Sequence, residues 1–192
     1  KAWLDERLQT AVRKFVYEGG GFIGVGEPTA CEGNGRYFQL ADVMGVDEEV
    51  GFTLLVDKYN IEKVTEPFFG ELGGTDYGED KKNIYALGGA RVLDIAISDR
   101  FRRNVNVGEV KIAVNDYGKG RAFYMAGLPY NIQIERILYR ACHYVAHKEK
   151  LLKRWYCDDT AVTVQYYPQI GECALVNNGD AAVDTTFYDG NG

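Results

Sequence analysis

The chain opens on a helical rhythm. In residues 4–17, LDERLQTAVRKFVY, Leu4, Leu8, Ala11, Val12, Phe15 and Val16 recur at helical spacing, while Glu6, Arg7, Arg13 and Lys14 take the other side. This predicts an amphipathic helix, with Asp5 at its cap or in its first turn, where negative charge is favoured. Glu18-Gly19-Gly20 ends it, a glycine supplying the left-handed residue after the last turn. The run GFIGV (21–25) follows at once, short, apolar and continuous, as expected of a strand buried on both faces. Helix, glycine turn and buried strand form half of a parallel α/β repeat, so GFIGV is expected as an interior parallel strand.

Further along, RYFQLADVM (36–44) reads as a short helix stopped by Gly45, and GFTLLVDKYN (51–60) as a strand. Glu66-Pro67-Phe68-Phe69 marks a turn, and the polar stretch 70–83, GELGGTDYGEDKKN, reads as a surface loop. IYAL (84–87) and RVLDIAIS (91–98) are two strands or one broken at Gly88-Gly89, and DRFRRN (99–104) is a basic, solvated turn. The clearest hairpin spans 109–128, turning at Asp116–Gly120, where Gly118 and Gly120 can both take positive φ. Residues 131–149 form a long helix with Asn131 as N-cap. After residue 150 the pattern changes to short β-segments broken by Pro168-Gln169, Asn178-Gly179-Asp180 and Asp189-Gly190. The expected organisation is an α/β domain over 1–149, a linker over 150–157 and the start of an antiparallel β module over 158–192.

Composition narrows the chemistry. Hydrophobic residues make up 46% and charged residues 26% of the 192-residue chain, as in ordinary globular domains. A net charge of -6 argues against a nucleic-acid surface, which needs a basic stripe to neutralise phosphates. No apolar run approaches the ~20 residues of a membrane-spanning helix. Cys31, Cys142, Cys157 and Cys173 form no CxxC unit and read as free thiols of a cytoplasmic protein. Both ends look cut from a longer polypeptide.

The glycines of GGGFIGVGEP (19–28) suggest a dinucleotide cradle, but the order is wrong: the fingerprint runs strand, glycines, helix, and here the glycines end a helix. A nucleophile elbow needs Ser or Cys directly after the strand, and Cys31 stands five residues past Gly26. His143 and His147 lie one helical turn apart on the expected 131–149 helix, without a Glu or Cys to complete a metal site. The loop after GFIGV offers Glu27, Thr29, Glu32 and Arg36 as candidate substrate-facing groups. Glu27 sits at the carboxyl end of the strand, where open α/β sheets present ligand loops, and Arg36 could pair with it. The alternative is a structural carboxylate bonding the loop's own amides.

Three segments carry a family likeness. GGGFIGVGEPTACEGNGRYFQLADVMGVD (19–47), YGKGRAFYMAGLPYN (117–131) and ALVNNGDAAVDTTFYDG (174–190) resemble the central part of the bacterial 1,3-β-galactosyl-N-acetylhexosamine (galacto-N-biose/lacto-N-biose) phosphorylases. The resemblance implies a flavodoxin-like parallel layer, similar to class I glutamine amidotransferases and to the trimerisation domain of some β-galactosidases, followed by a small β domain. It implies a parent enzyme, a homodimer or other homo-oligomer, that cleaves galactosyl-N-acetylhexosamine disaccharides with inorganic phosphate. The anomeric carbon is inverted, giving α-galactose 1-phosphate, and no cofactor or metal is needed. The general acid belongs to a catalytic barrel outside this chain, so no catalytic residue is expected here. Two roles then compete for the segment: a scaffold or assembly module, or a wall whose Glu27–Arg36 loop closes over the substrate.

Overall fold

The structure is a computed structural model; it describes residues 3–29, 37–49, 62–70, 72–98, 107–152, 155–159 and 161–189. Its helices are α1 (Glu6–Tyr17), α2 (Ala41–Met44) and α3 (Ile132–Val145). Its strands are β1 (Gly21–Val25), β2 (Val46–Glu48), β3 (Ile84–Ala86), β4 (Arg91–Ser98) and β5 (Val107–Tyr117), then β6 (Gly120–Met125), β7 (Tyr156–Cys157), β8 (Val162–Tyr167), β9 (Glu172–Asn177) and β10 (Phe187–Tyr188). The expected strand at 51–60, the basic turn at 99–104 and Cys31 lie outside the described residues.

The local signals at the helix ends act as their chemistry requires. Asp5 caps α1, its carboxylate accepting from Leu8 N at 2.7 Å, and Gly19 leaves the helix at φ +121°. Asn131 caps α3 by accepting from Ile134 N at 2.8 Å. The helix stops at Val145 and His147 takes φ +56°, so His143 and His147 do not share the helical face expected of them. The expected 36–44 helix shrinks to α2, because the Asp47 carboxylate takes the amides of Tyr37 and Phe38 and holds them off the helical ladder. Gly45 closes α2 in the left-handed region at φ +73°, a conformation that costs other residues steric strain.

The main sheet runs β1-β6-β5-β4. Among the described strands β1 and β6 pair in parallel, whereas β6 with β5 and β5 with β4 are antiparallel; Lys63 makes an isolated parallel bridge to Val92 of β4. This overturns the expected flavodoxin-like, glutamine amidotransferase-like parallel layer. The reason is connection length. A parallel neighbour needs a crossover of a dozen or more residues, whereas β5 and β6 are joined by Gly118-Lys119 and β4 and β5 only by residues 99–106. In the hairpin Gly118 takes φ +64° while Gly120 enters the strand.

Among the described strands β1 lies at the sheet's edge, not in its interior, and only Gly24 within it is fully buried. Its glycines explain the apolar run differently. A Cβ on Gly21 would stand 2.7 Å from Val145 at the end of α3, and one on Gly24 would stand 2.6 Å from Met44 Sδ in α2. Successive strand residues face opposite ways, so these two glycines admit a helix on each face. The core divides accordingly. Ala122 and Tyr124 of β6 pack with Val16, Phe38, Leu40 and Met44; Phe123 and Met125 pack with Phe69, Leu93, Ile137 and Tyr144. The apolar side of α1 is covered only in part, since Val16 is buried while Leu8 and Phe15 stay exposed.

The two strands expected at 84–98 are distinct: β3 pairs with β2 and β4 with β5. The expected surface loop at 70–83 instead tucks Leu72 and Tyr77 into the core. Beyond α3, β8 and β9 form an antiparallel hairpin and β7 pairs with β10. Trp155 stacks on Tyr166 with ring centroids 4.0 Å apart, and Arg136 of α3 donates to Cys157 O and Val162 O, joining these strands to the helix.

Candidate functional site

The turn after β1 begins at Gly26, whose amide donates to Met125 O at 2.8 Å and whose carbonyl accepts from the buried Tyr124 hydroxyl at 2.8 Å. Burial pushes the Tyr124 phenol well above its ordinary range, so it stays protonated and remains a donor. Glu27 therefore leaves the sheet from a fixed backbone. Its Oε1 accepts from the Tyr37 hydroxyl, and its Oε2 lies 3.5 Å from Lys81 Nζ. Lys81 also reaches Glu48 Oε2 at 3.0 Å and stands 5.5 Å from the centre of the Tyr37 ring. Burial alone would lower the Lys81 pKa; the hydrogen bond and charge of Glu48, with the charge of Glu27, outweigh it and hold the ammonium above its usual value. The Lys81 backbone is pinned too, its amide donating to Ala126 O at 2.8 Å.

Thr29 is 1% exposed, and its hydroxyl accepts from Gln39 N at 3.1 Å. The Gln39 side chain in turn bonds both backbone groups of Leu4, tying the turn to the start of α1. Asp47, fully buried, accepts from the amides of Tyr37, Phe38 and Glu48 at 2.8–3.0 Å. Glu32 and Arg36 lie outside the described residues, and with them the expected Glu27–Arg36 pair. The sequence missed Tyr37 and Lys81 as partners of Glu27, and Glu48 beyond Lys81. Lys81 stands 54 positions from Glu27 within a polar stretch, and no local spacing could have marked it. Both oxygens of Glu27 are thus engaged from within the chain, which suits a group that holds a loop in place.

Among the described residues no group of three or more His, Cys, Asp or Glu could hold a metal ion, and no helix is long and apolar enough to cross a membrane. Cys142, Cys157 and Cys173 are free thiols.

Comparison with known proteins places the chain among the domains of carbohydrate phosphorylases. Residues 1–150 match the model of the lacto-N-biose phosphorylase central domain, and the chain belongs to that family. It is 43% identical, over 99% of its length, to a 1,3-beta-galactosyl-N-acetylhexosamine phosphorylase of Lachnoclostridium phytofermentans. It is 34% identical, over 96%, to the 1,3-beta-galactosyl-N-acetylhexosamine phosphorylase of Bifidobacterium longum subsp. longum. The chain spans 25% and 28% of the length of these two relatives. Among solved structures it is similar to the β-galactosidase from Rahnella sp. R3, with 24% identity and a TM-score of 0.47 over 84% of this chain and 24% of that one.

Proposed function

We propose that this chain is the non-catalytic central portion of a glycoside phosphorylase, together with the beginning of the β module that follows it. The parent cleaves β-1,3-galactosyl-N-acetylhexosamines with inorganic phosphate, inverting to α-galactose 1-phosphate, in the cytoplasm and without a cofactor. Residues 1–149 brace the catalytic domain and build a subunit interface of a homo-oligomer, 150–157 link, and 158–192 open the β module. The observation that best supports a bracing role is that the polar groups after β1 are spent inside the chain: Thr29 on Gln39, Asp47 on three amides, Glu27 on Tyr37 and Lys81. The general acid belongs to the catalytic domain.

Two experiments test this. The 192-residue chain, incubated with lacto-N-biose and phosphate, is expected to release no galactose 1-phosphate; turnover near that of the parent enzyme refutes the reading. In the full-length parent, Glu27→Ala is expected to lower the melting temperature by a few degrees, the cost of about 1 kcal/mol for a partly exposed ion pair. kcat/KM should stay within tenfold. If the loop instead touches the reacting sugar, kcat/KM falls by more than tenfold, about 1.4 kcal/mol of transition-state binding, with the melting temperature preserved.

A further inference from the structure

We infer that Asn178 is a latent modification site, a deamidation through its neighbour Gly179 that the start of β8 holds closed. The sequence has three Asn-Gly pairs, at Asn34, Asn178 and Asn191; the second lies within the described residues, directly after β9. The chemistry of such a pair needs no enzyme. The backbone nitrogen of Gly179 attacks Asn178 Cγ, a C–N bond forms and the Cγ–Nδ2 bond breaks. The side-chain NH2 departs as ammonia, carrying the proton that Gly179 gives up. Water then opens the cyclic imide at either carbonyl, leaving aspartate or isoaspartate. Glycine favours the attack because no Cβ screens its nitrogen and its backbone turns freely.

The fold withholds both reactants. The Gly179 amide donates to Asn177 Oδ1 at 2.9 Å, so the attacking nitrogen is engaged by another side chain. Asn177 is held in turn, its Nδ2 donating to Ala181 O at 2.7 Å. Asn178 Nδ2 donates to Thr163 Oγ1 of β8 at 2.8 Å and lies 3.2 Å from Ala161 O and 3.3 Å from Val176 O. The Asn178 backbone amide also donates to Ala161 O, at 2.9 Å. For Cγ to swing onto the Gly179 nitrogen these bonds must open together, although both residues are exposed to water. The rate of modification therefore reports the opening of this clamp between β8 and the end of β9. The reaction also prevents its reclosing. A carboxylate has no proton to give, so the product cannot remake the bonds to Ala161 O and Val176 O.

The site is independent of the phosphorylase reading, and either can fail alone. Its test incubates the 192-residue chain and a synthetic peptide of residues 174–183 in warm neutral buffer. Peptide mapping by mass spectrometry follows the mass gain and the isoaspartate at Asn178, resolved from Asn34 and Asn191. The folded chain should convert roughly tenfold more slowly than the peptide, a ratio set by the opening equilibrium of the clamp. Thr163→Val removes one acceptor at an exposed position and should speed conversion severalfold, toward the rate of the peptide. Gln165→Ala, on the same face of β8 but without a bond to Asn178, should leave the rate unchanged. Equal rates in chain and peptide, an unaltered rate in Thr163→Val, an acceleration matched by Gln165→Ala, or a mass gain without isoaspartate overturns the assignment.

Discussion

Asp47→Ala is expected to destabilise the chain by about 3–5 kcal/mol, because it strands three backbone donors at a buried site and each unpaired buried group costs roughly 1–3 kcal/mol. The carboxylate is fully buried and accepts from Tyr37 N, Phe38 N and Glu48 N, while its second oxygen receives the Tyr85 hydroxyl at 3.4 Å. It thereby fixes residues 37–40 in turns and starts α2 only at Ala41. Asp47→Asn keeps one acceptor oxygen in place and should lose about half as much. Urea unfolding of the three proteins measures the order. A loss below about 1 kcal/mol for the alanine variant would mean that the freed amides find other partners, and that the turn before α2 does not depend on Asp47.

Lys111→Ala is expected to cost about 3–5 kcal/mol, since removing this buried ammonium leaves Glu109 without it and Asp80 with Lys82 alone. Here the partners are Asp80 and Glu109, with side chains only 8% and 12% exposed. The loss should depend on pH in a defined sense. Burial alone would raise the Asp80 pKa; hydrogen bonds from Lys111 and Lys82 outweigh it and hold it below the ordinary aspartate value of 3.8. A carboxyl with a lowered folded pKa contributes stability that is complete above the unfolded value and is lost as pH falls through the folded one. The gap between wild type and Lys111→Ala should therefore be full near neutral pH and narrow as the pH is taken below about 3.8. A gap that widens in acid would show that Asp80 is not the group Lys111 stabilises.

Asp80 and Lys82 join the charge cluster of Lys111 on β5, while Lys81 between them reaches Glu27 and Glu48 beside the β1 turn. Alternation along an extended chain is what lets three consecutive residues serve two clusters. The stretch 70–83 reads as a solvated loop because its composition is polar, yet Asp80 pairs with the buried Lys111 of β5 and Tyr77 donates to Asp94 of β4. Composition reports the polarity of a segment; it does not report what the segment lies against.

What the sequence determined by itself is local. The caps at Asp5 and Asn131, the left-handed Gly45, the 109–128 hairpin and the β-rich end beyond residue 150 each rest on interactions within a few residues, so their chemistry is legible in order along the chain. Likeness of whole segments also carried the family. The tertiary structure alone decided how the pieces were joined. A continuous apolar run such as GFIGV looks the same in the middle of a parallel sheet and at the edge of a mixed one. It lies beside β6 because β6 folds back on β5 through a two-residue turn, and no spacing within residues 21–25 records that. The companions of Glu27 were hidden for the same reason: Lys81, its amide held by Ala126 O, reaches Glu27 and Glu48 across long stretches of sequence, and side-chain charge acts over a few ångströms of space, not over positions along the chain.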